Sequence, residues 1–156
     1  MRLRVAAVGT RLPDWVYHAC NEYQKRVVSP VQFDIREVAA GKRGKNSDIE
    51  RIKTEEGDKL LAVVPNGAKI VALDESGKAI DTAAFAAWLQ NSIDNAEDLC
   101  FLIGGPDGLS NEVLQQSSMR MRLSDFTLAH PLARVVIAEQ VYRAYSIIRN
   151  LPYHRA

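Results

Sequence analysis

The sequence predicts an α/β fold with a mainly parallel β-sheet. Short apolar runs of strand length alternate with longer amphipathic segments in the order βαβαβαβαβα. Alternation of this kind is typical of sheets whose parallel strands are joined by helices. In such sheets ligands bind beyond the carboxyl ends of the strands, so we expect the functional residues at that edge.

The first half of the chain predicts three strands and two helices. The strands are "LRVAAVG" (3–9), "QFDIREV" (32–38) and "KIVALD" (69–74). Pro13 suits the start of the first helix, whose apolar residues recur near helical spacing at Trp15, Ala19, Tyr23 and Val27. The second helix runs through Leu60-Leu61, and either Ser47 or Asp48 suits its N-cap.

The second half predicts three helices and two strands. They are a helix at 82–93, the strand "DLCFLIGG" (98–105), a short helix after Ser110, the brief strand "MRMRLS" (119–124) and a helix at 130–150. Phe85, Trp88 and Leu89 lie on one side of the helix at 82–93. The last helix is apolar nearly all round, so it must be buried on more than one side. Packing against a second copy would bury it, with Tyr145 and Ile148 in the interface; a central position in the core is the alternative.

Length and composition predict a single domain (1–156) in the cytoplasm. Hydrophobic residues make up 47% and charged residues 25%, which is ordinary for a globular protein. The N-terminal apolar run is too short for a signal peptide, and no segment approaches the ~20 apolar residues of a membrane span. Cys20 and Cys100 lack CxxC spacing, and we expect reduced, buried thiols. The three histidines lack metal-ligand spacing, so we expect no metal.

Charge is strongly segregated along the chain although the net charge is only +1. Residues 1–70 carry 13 Lys/Arg against 9 Asp/Glu, residues 71–119 carry one Lys against 8 acids, and residues 120–156 carry six Arg against two acids. Arginine suits phosphate and base contacts better than lysine does. The pattern is compatible with nucleic-acid binding, and a solvated surface with segregated charge is the alternative.

The apolar strand at 99–103 runs into a glycine-rich turn, "GGPDG" (104–108). A P-loop needs Lys and then Ser or Thr after its last glycine, and the dinucleotide fingerprint needs Gly-x-Gly-x-x-Gly; this turn fits neither. With the loop "LSDFTLAHP" (123–131) beside it, the turn predicts an apolar slot lined by bare backbone. Such a slot can hold an adenine and a thioether without contacting a phosphate.

Several segments together resemble the ribosomal RNA large subunit methyltransferase H family, which belongs to the SPOUT methyltransferases. They are "AVG", "AGKRGKNSDI", "IVALDESGK", "FLIGGPDGLS", "LSDFTLAHPLARVVIAEQVYRA" and "PYHR". The resemblance implies a C-terminal trefoil knot, a homodimer, and S-adenosyl-L-methionine bound in the knot at the dimer interface. It also implies methylation of N3 of a pseudouridine in 23S ribosomal RNA, with assembled ribosomes as the substrate.

The resemblance also implies the site residues. Those for the cofactor are Leu73, Gly104, Gly105, Leu123, Ser124, Asp125, Phe126, Thr127 and Leu128. Relatives often have proline where this chain has Ala129, which loosens the loop geometry slightly. For catalysis, His154 is a candidate to take or relay a proton, Tyr153 to stack on or hydrogen-bond the base, and Arg143 or Arg155 to stabilise negative charge.

The basic loop "GKRGK" (41–45) suits sequence-independent phosphate contacts, so Lys42, Arg43 and Lys45 are RNA-binding candidates together with Arg134. A solvated loop and a tail without a role in the reaction are the alternatives for these segments. For the whole chain, a catalytically silent, ribosome-associated RNA-binding module is the first alternative. A small nucleotide-binding enzyme of flavodoxin-like shape is the second, and the missing phosphate motifs disfavour it.

Overall fold

Five parallel strands form one sheet in the order β2-β1-β4-β3-β5 in the computed structural model, which describes residues 1–155. The strands are β1 (Arg2–Val8), β2 (Gln32–Val38), β3 (Lys69–Ala79), β4 (Leu99–Ile103) and β5 (Met119–Arg122). Because all strand pairs are parallel, every carboxyl end lies at the same edge of the sheet. The α/β class and the alternating order that the sequence predicts are confirmed.

In residues 1–155, five helices cover both faces of the sheet. They are α1 (Asp14–Gln24), α2 (Ile49–Ala62), α3 (Thr82–Asp94), α4 (Asn111–Gln116) and α5 (His130–Ile148). Helices α1, α5 and α3 pack on one face, and α2 and α4 pack on the other. Alternate residues of β4 accordingly belong to two separate apolar clusters, with Phe101 facing α3 and Leu102 facing α2 and α4.

Local signals in the sequence predict most helix starts correctly. Asp48, one of the two cap candidates, accepts a hydrogen bond from the Arg51 amide, and Ser110 caps α4 through the Val113 amide. The predicted face of α1 is wrong at Trp15, whose side chain is 53% exposed while Val16 and Cys20 are buried. The apolar periodicity places the buried face of α1 one position too early, because both Trp15 and Val16 are apolar.

Helix α5 is buried within its own chain, between α1 and α3. Tyr145 is only 3% exposed, so it needs no second copy to cover it, and the expectation that Tyr145 lies in a dimer interface is wrong. The alternative, a central core helix, describes α5 correctly over this stretch. Ile148 is half-buried against the same core.

The end of α5 turns the chain back on itself. Asn150 has a left-handed backbone with φ 55°. Its amide donates to the Ile147 carbonyl, and the Leu151 amide donates to the Ser146 carbonyl at 2.8 Å. This is the hydrogen-bond pattern of a Schellman motif, which satisfies the last carbonyls of a helix. The motif directs residues 151–155 back along α5, where Tyr153 and His154 contact it.

Candidate functional site

A cavity of about 630 Å³ opens beyond the carboxyl ends of β4 and β5, beside the middle of β3. The strand order brings residues 73–75 of β3 together with the segments that follow β4 and β5, because β3 lies between these two strands. The cavity is lined by Leu73, Asp74, Glu75, Ile103, Gly104, Gly105, Pro106, Asp107, Gly108, Arg122, Leu123, Ser124, Phe126, Thr127, Leu128, Ala129, His130 and Ala133. Its size and mixed apolar and polar lining are those of a site for a cofactor or other small molecule.

The glycine turn forms one wall of the cavity with main-chain atoms. A Cβ atom on Gly104 would lie 2.6 Å from the Gly108 carbonyl carbon, and one on Gly105 would lie 3.2 Å from the Glu56 carboxylate. The turn closes through a hydrogen bond from the Gly108 amide to the Gly105 carbonyl. A side chain on Gly104 would therefore clash with the main chain of the turn, and a side chain on Gly105 would be crowded by Val8 and Glu56.

The loop 123–128 forms the opposite wall. The Ser124 hydroxyl accepts a hydrogen bond from the Phe126 amide at 2.9 Å, which tightens the loop. Phe126 is 83% exposed although it lines the cavity. Asp125 is the one sequence-predicted cofactor residue that lies outside the lining; its carboxylate pairs with Arg122 at 3.1 Å.

Three of the four catalytic candidates form a second group, the tail cluster, which consists of Glu139, Tyr142, Arg143, Tyr153 and His154. The Tyr153 hydroxyl donates to Glu139 at 3.0 Å, and the Arg143 guanidinium lies 4.7 Å from the centre of the Tyr153 ring. Arg143 also lies 3.1 Å from the His154 Nδ1 atom and pairs with Glu139 at 2.6 Å. The fourth candidate, Arg155, is exposed at the end of this segment.

The chemistry of the tail cluster is set by its internal bonds. Burial and the hydrogen bond to Glu139 raise the pKa of Tyr153 to about 12, so the phenol keeps its proton at neutral pH and donates a hydrogen bond. Arginine only donates hydrogen bonds, so His154 Nδ1 takes the acceptor role in its contact with Arg143. To accept a proton at Nδ1, His154 has to leave Arg143.

The tail cluster does not reach the cavity of its own chain. His130 and Ala133 line the cavity at the beginning of α5, whereas Arg143 lies near its end. Thirteen helical residues separate His130 from Arg143, which corresponds to about 20 Å along the axis. A single chain thus carries the cavity and the tail cluster at opposite ends of one helix.

The RNA-binding candidates divide into two kinds. Lys42 and Lys45 are exposed. Arg134 is 1% exposed, and its guanidinium pairs with Glu37 and donates to the Gly9 carbonyl, so its assignment to RNA is wrong. A buried guanidinium that is bonded on both sides ties α5 to the end of β1.

Arg43 also departs from the expectation of a free phosphate contact. It pairs with Glu56 at 2.9 Å and with Asp107 at 2.7 Å, and its side chain is largely covered. Its guanidinium is therefore bonded within the chain, and a phosphate would have to compete with two carboxylates for it.

A family model described as "Predicted SPOUT methyltransferase" matches residues 1–154. The chain belongs to the SPOUT methyltransferase family. A solved methyltransferase of Legionella pneumophila, described as a complex with the bound cofactor S-adenosylmethionine, has the same fold with a TM-score of 0.51 and 11% identity. The alignment covers 92% of this chain and 66% of that one, so this SPOUT protein spans just under two thirds of the length of that structure.

The cavity of this SPOUT protein fits the cofactor that its family supports, S-adenosyl-L-methionine. Apolar side chains and bare backbone suit an adenine ring, and the carboxylates of Asp74 and Glu75 favour the positive charge of a sulfonium. His130 adds a polar ring. Burial, followed by the positive charges of Arg134 and Arg43, lowers the pKa of His130, so its ring is neutral at pH 7.

Sequence reasoning missed several residues of this cavity, notably Asp107, Arg122 and His130. Arg122 and His130 flank the loop 123–128, and Asp107 lies between two glycines of the turn. Their closeness in sequence to the recognised motifs is the signal that could have identified them.

In the described part of the chain, residues 1–155, no cluster of His, Cys, Asp and Glu suits a metal ion. No helix of that part is long and apolar enough to cross a membrane.

Proposed function

We propose that this SPOUT methyltransferase transfers a methyl group to N3 of a pseudouridine in 23S ribosomal RNA, with assembled cytoplasmic ribosomes as its substrate. The observation that carries the proposal is a cofactor-sized cavity built from the motifs "FLIGGPDGLS" and "LSDFTLAH" in a chain of this family. The same motifs carry the resemblance to the ribosomal RNA large subunit methyltransferase H family, which supplies the RNA substrate.

S-adenosyl-L-methionine, when bound, supplies an electrophilic methyl group on a positively charged sulfur. The glycine turn and the loop 123–128 hold and orient it, with Leu73 and Leu128 excluding water from the apolar wall. Orientation of this kind accounts for a large part of the rate acceleration in transfers between two bound groups. The exposed ring of Phe126 offers a flat surface at the mouth of the cavity on which an unstacked base can lie.

The target base must lose its N3 proton during the reaction, and the tail cluster has the groups to assist this loss. Tyr153 donates a hydrogen bond to a base oxygen, and Arg143 and Arg155 stabilise the negative charge of the deprotonated base. His154 takes the N3 proton at Nδ1 once Arg143 turns from the ring to the base. The internal bonds of the cluster hold these groups inactive until the base arrives.

A homodimer brings the two ends of α5 together. The outward side of the helix runs from Leu132 through Val136 and Gln140 to Arg143, all exposed or half-buried. A two-fold axis crossing this side near its middle lays the tail cluster of one protomer beside the cavity of its partner. We propose this arrangement, together with the C-terminal knot, in place of an interface on Tyr145. Lys42 and Lys45 contact phosphates of the RNA around the target.

Mass mapping of 23S ribosomal RNA tests the substrate. In cells that lack the protein we expect one pseudouridine to lose a methyl group, and purified protein with S-adenosylmethionine to restore it on isolated ribosomes. An unchanged modification map contradicts the proposed substrate. The alternative, a non-catalytic RNA-binding module, predicts ribosome binding without cofactor binding, which calorimetry with S-adenosylmethionine distinguishes.

A further inference from the structure

Arg43 links two segments that are far apart in sequence. From the loop 41–48 its guanidinium reaches Glu56 on α2 through two nitrogens, at 2.9 and 3.0 Å, and Asp107 in the glycine turn at 2.7 Å. The amide of Gly41, in the same loop, donates to the same Glu56 carboxylate at 2.8 Å. One arginine thus connects the basic loop, α2 and a wall of the cavity.

Glu56 makes this link strong. Its side chain is 2% exposed, so its charge has lost contact with water and needs the bonds from Arg43 and Gly41. A buried carboxylate that loses its partner is strongly destabilising. Arg43 is consequently fixed at its Glu56 side, and its Nε atom remains to hold Asp107.

The turn 104–108 connects the cavity to the group formed by Arg43 and Glu56. Gly105 packs closely against Glu56, and Asp107 lines the cavity while it accepts the bond from Arg43. No residue of the loop 41–48, which the structure describes in full, lines the cavity. A molecule in the cavity can therefore reach that loop through the turn and Arg43, without touching the loop itself.

We infer that Arg43 is a positioning residue that couples occupancy of the cavity to the order of the basic loop 41–48. This inference rests on the proposed function, because it takes S-adenosylmethionine as the occupant and RNA phosphates as the partners of the loop. A cofactor that restricts the turn restricts Asp107, which holds Arg43, which holds the loop. Lys42 and Lys45 are then ordered for RNA when the cofactor is bound.

The coupling acts equally in both directions, since the effect of one ligand on the other is reciprocal. Ribosome binding through Lys42 and Lys45 tightens the glycine turn and raises the affinity for the cofactor. The consequence is that the enzyme holds its methyl donor most firmly when the substrate is in place.

Hydrogen–deuterium exchange of the full-length protein, with and without saturating S-adenosylmethionine, tests the coupling. In the wild type we expect exchange of the amides in the loop 41–48 to slow by about 5-fold or more when the cofactor is bound. Saturation makes occupancy equal among variants. A wild-type loop whose exchange is unchanged by bound cofactor overturns the inference.

Two variants locate the coupling in the arginine. Arg43→Lys keeps a positive charge for Glu56, but a single ammonium cannot bridge two carboxylates as the planar guanidinium does. Asp107→Asn removes the charge of the turn and leaves the bonds between Arg43 and Glu56. In both we expect the cofactor to slow exchange of the loop by less than about 2-fold, and protection of wild-type size in Arg43→Lys overturns the inference.

Lys45→Ala is the matched control, because Lys45 lies exposed in the same loop and takes no part in the bonds of Arg43 to Glu56 and Asp107. Its loop should be protected as in the wild type. Calorimetry on the same samples separates the two levels of the argument. If S-adenosylmethionine does not bind the wild type, the proposed cofactor site fails; if it binds without protecting the loop, only the coupling through Arg43 fails.

Discussion

The cavity and the tail cluster occupy the two ends of α5 and are built in opposite ways. The cavity is formed by main-chain turns with apolar and polar side chains, from two loops at the carboxyl edge of the sheet and from the middle of β3. The tail cluster consists of charged and aromatic side chains that satisfy one another, with Arg143 held by Glu139 and resting on Tyr153.

Under the proposed function, this difference separates cofactor binding from the chemistry of methyl transfer. The shape of the cavity is set by main-chain turns, so it selects a ligand by fit. The side chains of the tail cluster bond one another in the resting chain, so under the proposed function a substrate has to replace an internal bond. We therefore expect substitutions at the cavity to alter cofactor affinity and substitutions in the tail cluster to alter turnover.

The largest expected effect comes from the tail cluster. Replacing His154 by Ala should lower methyl transfer to ribosomes by about 10²- to 10⁴-fold, the usual contribution of a positioned acid or base, with cofactor affinity nearly unchanged. Methyl incorporation into ribosomal RNA and calorimetry measure the two quantities. Arg149→Ala, an exposed arginine at the end of α5, is the control. A parallel loss of cofactor affinity would mean that the two regions are one site.

Ending the chain after Leu151 is a harsher form of the same experiment. It should abolish methyl transfer as well. It also uncovers Tyr142, which packs on Tyr153 with ring centres 4.6 Å apart, so the truncated chain should be less stable than the wild type. Thermal unfolding measures that loss. Full methylation by the truncated protein would contradict the role given to the tail.

The next effect concerns the cavity. Gly104→Ala places a methyl group 2.6 Å from the Gly108 carbonyl carbon, so the turn must deform. We expect destabilisation of about 1–3 kcal/mol, as for other overpacked sites, and a loss of cofactor affinity of more than about tenfold. Gly44→Ala is the control, since its Cβ would have only an ordinary contact, 3.7 Å from the Ser47 hydroxyl. If Gly104→Ala binds S-adenosylmethionine with wild-type affinity, the turn is not part of the cofactor site.

A smaller effect is expected outside both regions, in the loop 41–48. Replacing Lys42 and Lys45 together by Ala should lower the slope of log affinity for ribosomes against log salt by about 1.5, because each phosphate contact releases a counterion. Lys25→Ala, which removes an exposed lysine paired with Glu22, should leave the slope unchanged. Equal slopes in the wild type and the double variant would show that the loop is a solvated surface without phosphate contacts.

The smallest effect is the pH dependence of stability at Tyr153. Its pKa is raised to about 12 from an ordinary value of 10, so the fold favours the protonated phenol. The stabilisation is complete below pH 10 and is lost as the pH rises from 10 to about 12. Unfolding by denaturant in this range should show a steeper loss for the wild type than for Tyr153→Phe. Parallel curves would show that folding does not raise the pKa of Tyr153.

The sequence predicts the cavity better than the charged sites. The glycine turn and the loop 123–128 are contiguous motifs that follow strands, and parallel strands bring their carboxyl ends to one edge. The sequence favours RNA contacts for Arg43 and Arg134 because both are arginines in basic segments. Their real partners, Glu56, Asp107 and Glu37, lie between 13 and 97 positions away, and no local pattern reveals them.

By itself the sequence determined the order of the elements, the parallel sheet and the segments that form the cavity, because these depend on local periodicity and on turn residues. Only the tertiary structure decided which charges are free and which face of α5 is covered. Burial depends on what packs from elsewhere in the chain, so Tyr145 is enclosed by α1 and α3 rather than by a second copy. The separation of the cavity from the tail cluster is likewise a property of the folded helix. Its length fixes a distance between the two that the one-dimensional order of motifs does not contain.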